Sequence, residues 1–352
     1  MDSPIAAIFD SCAREEFHGS SPLYERLAIA IANDPELLAL AAGGRKGERI
    51  PNLFFAAVHY CLLTGISHPV SRFYGSLGGF YDGNEDPYPD FRSFCREHAE
   101  RIRGLIAVRR VQTNEVSRCA GLVPAFASVA RRVSDQALFL VDIGASAGLN
   151  LFWDLYGYAY GTEIQCGDSN SPVQIHCNLR GKSAPPLPAS FPQVVGRIGL
   201  DLHPLDVGNA EDALWLRALV WPGQEARADL LRSAVEFVRQ RQLTLRAGNG
   251  VDSLPDIMGA VPGGAVLFIV RMFTQLAPAD RNRLSRLISN YGRRQDVVVV
   301  SFRPHGKDDS EIRLTSFFKG ENHEKLLAYF QNHGAWIEWL GEDHSGSAAQ
   351  LF

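Results

Sequence analysis

Up to about residue 135 the apolar residues recur at helical spacing. Leu23, Leu27, Ile29 and Ile31 mark one segment, and Asn52–Leu63 another, opened by Pro51 at a favourable first-turn position. Phe91–Val108 and Val116–Val133 read as two longer amphipathic helices, with Arg96, Glu97, Glu100 and Arg101 on the charged face of the first. Tyr74–Asp90, rich in Gly, Tyr, Asp and Pro, reads as an irregular loop inside the helical unit and as a candidate lid.

After residue 135 the period changes. Ala137–Ile143 (ALFLVDI) is a short continuous apolar run, the pattern of a strand buried on both faces of a parallel sheet. Similar runs follow at Val194–Leu200, Leu243–Ala247, Ala265–Val270 and Val297–Phe302. Amphipathic stripes lie between them, such as Leu230, Leu231, Ala234, Val235 and Val238, or Arg283, Leu284, Leu287 and Ile288. Alternating strands and helices predict a doubly wound α/β sheet with right-handed crossovers. Glu163–Leu179, where IQCG and PVQIHCNL flank a DSNS turn, reads as an inserted hairpin. Ala335–Leu340 and Ala348–Phe352 are expected to form the last pair of the sheet. The expected organisation is a helical cap domain over 1–135 and an α/β domain over 136–352.

Composition narrows the function. The 352 residues are 46% hydrophobic and 21% charged, ordinary for a globular chain. Lys plus Arg is 35 against 39 for Asp plus Glu, a net charge of −4, which argues against a general nucleic-acid binder. The apolar runs fall far short of the roughly 18 residues of a membrane span. The start MDSPIAAIFDSCAREE has neither the positive region nor the apolar stretch of a secretory signal, so a cytoplasmic protein without membrane contact is expected. The six cysteines form no CxxC pair and are expected to be reduced thiols. Cys166, His176 and Cys177 are the one suggestive metal cluster, and their spacing does not match a zinc site well enough to count as one.

The most informative segment is Val141-Asp142-Ile143-Gly144-Ala145-Ser146-Ala147-Gly148-Leu149-Asn150, a strand, small residues, then an expected helix. Small residues let a ligand approach the backbone, and NH groups at a helix start can receive an anionic group. Three readings compete. In the first, a pocket for S-adenosylmethionine, Asp142 lies beside the amino acid end of the cofactor, and a second carboxylate ending the next strand holds the ribose hydroxyls. Asp201 in GRIGLDLHP fits that place, and is preferred to Glu163, which runs straight into IQC. In the second, Gly144-Ala145-Ser146-Ala147-Gly148 is a G-x-S-x-G nucleophile elbow, with Asp296 or Asp308 and His344 completing a triad. In the third, the turn binds NAD, but Leu149 and Leu151 stand near where a third glycine is needed. A tight turn in a ligand-free fold is the remaining possibility.

With FRSFCREHAERI, VDIGASAGLNLFWDLYGYAY and GRIGLDLHPLDVGNAEDALWLRALVWPGQEARADLL, the chain resembles over most of its length a bacterial family known as domain of unknown function 2332, whose members look like class I S-adenosylmethionine-dependent methyltransferases. The resemblance implies a Rossmann-like class I methyltransferase sheet preceded by a helical N-terminal domain. It places Asp142, Gly144, Ser146 and Gly148 at the methionine part of S-adenosylmethionine, or of S-adenosylhomocysteine, and Asp201 at its ribose. Ala145, Asn150, Leu202, Asn249 and Arg271 complete the implied cofactor set. The sequence departs from the common pattern at Ser146, where glycine is usual, and at Asn249, where an acidic residue often faces adenine.

Arg271, in Ile269-Val270-Arg271-Met272-Phe273, lies where catalytic motifs of such enzymes end the fourth strand, and is read either as steering an anionic substrate or as pairing with a carboxylate. His203 and His305 are candidate bases, Trp215, Trp221 and Phe237 are read as packing residues, and Arg109-Arg110 and Arg293-Arg294 as solvated faces. The implied function is a methyltransferase acting on a small molecule, with a serine esterase using Ser146, or a binding module without turnover, as alternatives.

Overall fold

The computed structural model describes residues 4–45, 47–133, 136–272 and 276–341. Its helices are α1 (Pro4–Cys12), α2 (Pro22–Ile31), α3 (Pro35–Ala41), α4 (Ile50–Leu63), α5 (Tyr88–Glu97), α6 (Ala99–Val108), α7 (Cys119–Ala127), α8 (Ala210–Ala218), α9 (Glu225–Arg239), α10 (Gly250–Ala260) and α11 (Pro278–Gly292). The strands are β1 (Leu138–Ile143), β2 (Gly157–Tyr160), β3 (Ile164–Gly167), β4 (Gln174–Arg180), β5 (Val194–Asp201), β6 (Thr244–Ala247), β7 (Val266–Met272), β8 (Val297–Pro304), β9 (Asp309–Phe318), β10 (Glu321–Gln331) and β11 (Trp336–Trp339). The chain divides into two compact units, Met1–Thr113 with Gly208–Arg232, and Asn114–Val207 with Ser233–Phe352. The segment 114–133, including α7, therefore counts with the sheet, and α8 counts with the helices.

In the helical unit, α2, α3 and α4 each open with proline in the first turn, where its missing N–H costs nothing. Asp34 caps α3, accepting from Glu36 N at 2.8 Å and Leu37 N at 3.2 Å, and also receives Arg92 Nε at 2.6 Å. Helix α4 is buried from Pro51 to Leu62, because its sequence is apolar all round. Around it sit Phe9, Phe17, Phe91 and Tyr24, the last stacked on Phe55 with centroids 4.1 Å apart. The long helix expected over 91–108 is broken at His98, whose φ of −115° and ψ of 22° leave the helical region. Arg109 and Arg110 are ion-paired to Asp212 and Glu48, not a solvated face, and Trp215 Nε1 donates to Arg110 O at 2.9 Å.

The sheet unit carries eleven described strands in the order β3-β2-β4-β11-β10-β9-β8-β7-β1-β5-β6. Strands β6, β5, β1, β7 and β8 are parallel, and these are the five continuous apolar runs of the sequence. On one face Val141, Ile143, Leu200, Leu267 and Ile269 pack against α10 and α11 through Leu254, Ile257, Leu284 and Ile288. On the other, Phe268 meets Trp153 at 5.7 Å and Phe126 of α7 at 6.3 Å between ring centroids. Burial on both faces explains the unbroken apolar runs of β1, β7 and β8, whereas β5 is fully buried only over Ile198–Leu200 and the edge strand β6 is largely exposed.

The rest departs from the expected pairing. Strands β3 and β4, flanking the DSNS turn, do not pair with each other: β2 lies between them, antiparallel to β3 and parallel to β4. Strand β11 sits between β4 and β10 instead of ending the sheet, and Ala348–Phe352 lies outside the described residues. Strands β9 and β10 form a long hairpin that the apolar pattern does not announce. Its turn is Lys319-Gly320, with φ of 52° and 85°, the two positive values that a two-residue turn of the primed kind requires. The segment 116–133 is one helix, α7, between short 3₁₀ turns at Val116–Arg118 and Ala130–Arg132. Among the described residues no helix is long and apolar enough to cross a membrane.

Candidate functional site

Strand β1 has β5 and then β6 on one side, β7 and then β8 on the other, so the strand order reverses at β1. Open parallel sheets bind ligands beyond the carboxyl ends of their strands at such a reversal. Asp142 and the glycine turn lie there. Register decides which side chains share a face: Asp142 pairs with Gly199 and with Val270, so Asp201, two positions after Gly199, projects on the same side as Asp142. Arg271, one position after Val270, projects to the opposite side, that of Ile269 and α11. The sequence reading put Arg271 in one pocket with Asp142, and strand alternation separates them.

Asp142 is 2% exposed, and its Oδ1 is buried with no hydrogen-bond partner among the described residues. Burial pushes its carboxyl up to about 7, the charge of Asp201 adds to the shift, and Arg118 partly opposes it. Asp201 is held differently: its Oδ2 accepts from Ser146 N at 2.8 Å and its Oδ1 from His203 N at 2.9 Å. Gly248 N donates to the main-chain oxygen of Asp201 at 2.9 Å. The carboxylate thus binds the glycine turn to the end of β5.

The turn itself alternates left-handed positions, with φ of 88° at Gly144, 52° at Ser146 and 72° at Gly148. Its amides are largely engaged: Gly144 N and Ala145 N donate to Leu200 O, Gly148 N to Ala145 O, and Leu149 N to Asn114 Oδ1 at 3.2 Å. The expected helix after the turn is a 3₁₀ segment, Leu149–Leu155, with non-helical angles at Phe152. The notion of open NH groups at a helix start therefore does not apply here. Gly148 lacks a side chain for packing: a Cβ would come within 2.7 Å of Leu243 Cδ2. Gly144 is exposed, while Ala145 and Ser146 are buried.

The other expected residues have structural partners of their own. Asn150 is buried, and its Oδ1 receives Cys119 Sγ at 3.4 Å. Asn249 caps α10, with Oδ1 accepting from Val251 N at 2.9 Å and Nδ2 donating to Asp280 Oδ2 at 3.2 Å. Leu202 is 64% exposed beside Asp201. Arg271 is 8% exposed, and its pKa is lowered to about 10 by burial and by the cations Arg303 and Arg281. His305 lies 3.4 Å from Glu311 and against the Tyr329 ring, with centroids 4.6 Å apart.

The serine-elbow reading keeps its left-handed serine but loses Asp296. That residue precedes β8, at the amino end of a strand parallel to β1, and its oxygens receive Lys319 N at 3.0 Å and Gln136 Nε2 at 3.3 Å. His344 lies outside the described residues. His176 and Cys177 are successive positions on β4 and point to opposite faces. Among the described residues no group of three or more His, Cys, Asp or Glu side chains could hold a metal ion.

Residues that the sequence did not single out complete the neighbourhood. Asn114 and Cys119 reach Leu149 and Asn150 from 35 and 31 positions upstream, and Arg118 acts on Asp142 through its charge, contacts that no local spacing announces. Arg197 grips Asp154 through both oxygens, at 2.6 and 2.7 Å, on the same face of the sheet.

A family model described as uncharacterized protein conserved in bacteria, DUF2332, matches residues 6–339. The chain belongs to this family. The match spans both units, so the DUF2332 region includes the helices as well as the Asp142 and Asp201 strand ends. No curated protein matches the chain.

Proposed function

We propose that this DUF2332 protein binds S-adenosylmethionine at the carboxyl ends of β1 and β5 and acts as a methyltransferase on a small-molecule acceptor. The observation that carries this reading is the buried Asp142 oxygen without a partner among the described residues, beside a second carboxylate, where the strand order reverses. Burying a carboxylate without a donor is costly, so the pair favours a ligand that brings positive charge and hydroxyl donors together. An adenosyl sulfonium has both, and when bound it supplies an electrophilic methyl group.

The protein side of the site follows from chemistry already described. Asp142 accepts from the ammonium of the amino acid end. Asp201 holds the turn through both oxygens and lies where the ribose hydroxyls would be received. Leu202 offers an exposed apolar surface next to that carboxylate. Asn249, Asn150 and Gly148 keep the structural roles given above, and Arg271 acts on the other face of the sheet.

Calorimetric titration with S-adenosylmethionine and S-adenosylhomocysteine is the test. Saturable binding is expected, weakened about tenfold or more by Asp201→Ala, the loss of hydrogen bonds to a charged group. A folded protein that binds neither compound would end the proposal.

A further inference from the structure

A second chemical constellation lies in the helical unit. His59, in the middle of α4, is 2% exposed. Its Nδ1 lies 3.1 Å from Ala218 O, and its Nε2 lies 2.7 Å from Ser76 Oγ. A carbonyl oxygen only accepts, so Nδ1 carries the proton, and Nε2 is left as the acceptor of the Ser76 hydroxyl. Ala218 is the last residue of α8, whose terminal carbonyls lack intrahelical partners and carry the negative end of the helix dipole. The imidazole is thereby fixed in the tautomer that a serine nucleophile needs, with a carbonyl in place of the usual carboxylate.

The hydroxyl side of this pair is open. Ser76 belongs to a 3₁₀ turn, Gly75–Leu77, and is exposed, whereas the histidine behind it is buried. Both line a cavity of about 220 Å³ whose apolar wall includes Leu63, Val220, Trp221 and Pro222. Arg217 lines the same cavity. Burial lowers His59 to about 4, and the charge of Arg217 adds to that, so the ring is neutral near pH 7.

We propose that Ser76 is a nucleophile activated by His59, and that this cavity cleaves esters of short acyl chains. Ser76 Oγ forms a bond to the ester carbonyl carbon while His59 Nε2 takes the hydroxyl proton. The carbon–oxygen bond to the alcohol breaks, and His59 returns the proton to the departing alcohol. Water then attacks the acyl-serine, giving its proton to Nε2, and the carboxylic acid leaves as Ser76 recovers its hydrogen. Arg217 offsets the negative charge that develops on the carbonyl oxygen. A carbonyl orienter steadies the imidazolium less than a carboxylate does, so both half-reactions are slow; with p-nitrophenolate, a good leaving group, acylation is the faster of the two and the acyl-serine accumulates.

The test uses the full chain with a fluorophosphonate probe and, separately, p-nitrophenyl butyrate. Mass spectrometry is expected to find the phosphonyl group on Ser76. Ser76→Ala, a change at an exposed position, removes both the label and an initial burst of p-nitrophenol, while Ser146→Ala keeps both. His59→Gln slows labelling, by less than the roughly 100-fold of a base matched to the working pH because burial lowers this ring to about 4, and Arg217→Gln slows butyrate cleavage in a protein that unfolds like the native chain. Labelling of Ser146 instead, no label on Ser76 in folded protein, or equal rates in Arg217→Gln and the native chain would overturn the proposal. None of these outcomes depends on adenosyl ligands.

Discussion

Asp142 and Asp154 are two buried aspartates on the same face of the same sheet, and they are treated in opposite ways. Asp154 receives both nitrogens of Arg197 in a two-pronged pair, with side chains 4% and 14% exposed. Asp142 has an oxygen with no partner among the described residues, and a like charge at Asp201. A buried carboxylate that holds the fold has its own cation. One whose burial a cation, here Arg118, only partly offsets is stabilised from outside or stays protonated, which is the behaviour of a binding site.

The comparison is most sharply broken by removing the cation. Arg197→Leu leaves Asp154 buried and alone, and the expected loss is about 3–5 kcal/mol in urea unfolding at pH 7. An unchanged midpoint would mean that the pair contributes nothing to holding the turn.

Asp142→Asn is expected to act in the opposite direction. The folded carboxyl titrates at about 7 and its model value is 3.8, so below about pH 4 it is protonated in both states. Between about pH 4 and 7 the unfolded chain loses its proton first, and this group takes stability away as pH rises. Above about pH 7 the penalty is complete, about 4 kcal/mol at about 1.4 kcal/mol per pH unit. Asp142→Asn should therefore stabilise the protein at pH 8 by up to about that amount, have little effect near pH 4, and bind the ligand more weakly. Destabilisation at pH 8 would place a hidden cation on Asp142.

Smaller effects sharpen the roles of the expected site residues that have structural partners. Asn249→Ala should cost about 1 kcal/mol as a lost helix cap, with affinity for adenosyl ligands little changed. A large loss of affinity at constant stability would return Asn249 to the adenine.

Much of this was legible in the chain because burial on both faces writes an unbroken apolar run. Strands β1, β7 and β8 could be read that way, and β5 and β6 as shorter, interrupted runs between helical stripes, and so could the carboxylates at the carboxyl ends of β1 and β5. Strands β9 and β10 could not: Glu311, Arg313, Glu324 and Lys325 interrupt their apolar residues, and the signal rests in the Lys319-Gly320 turn. The neighbours β2 and β4 were hidden because strand order is a non-local property. Arg271 was misplaced for a similar reason, since its face depends on the pairing of Val270 with Asp142. Asn249 has the polarity of a ligand contact and of a helix cap alike, and only the position of the Val251 amide separates the two.

The central claim is that Asp142 gives up its proton to receive a cationic ligand. Titration calorimetry with S-adenosylmethionine at pH 6.5, repeated in buffers of different ionisation enthalpy, measures that proton directly. The account predicts release of more than half a proton per ligand bound, absent in Asp142→Asn. Binding without proton release, or the same release in the variant, would contradict it.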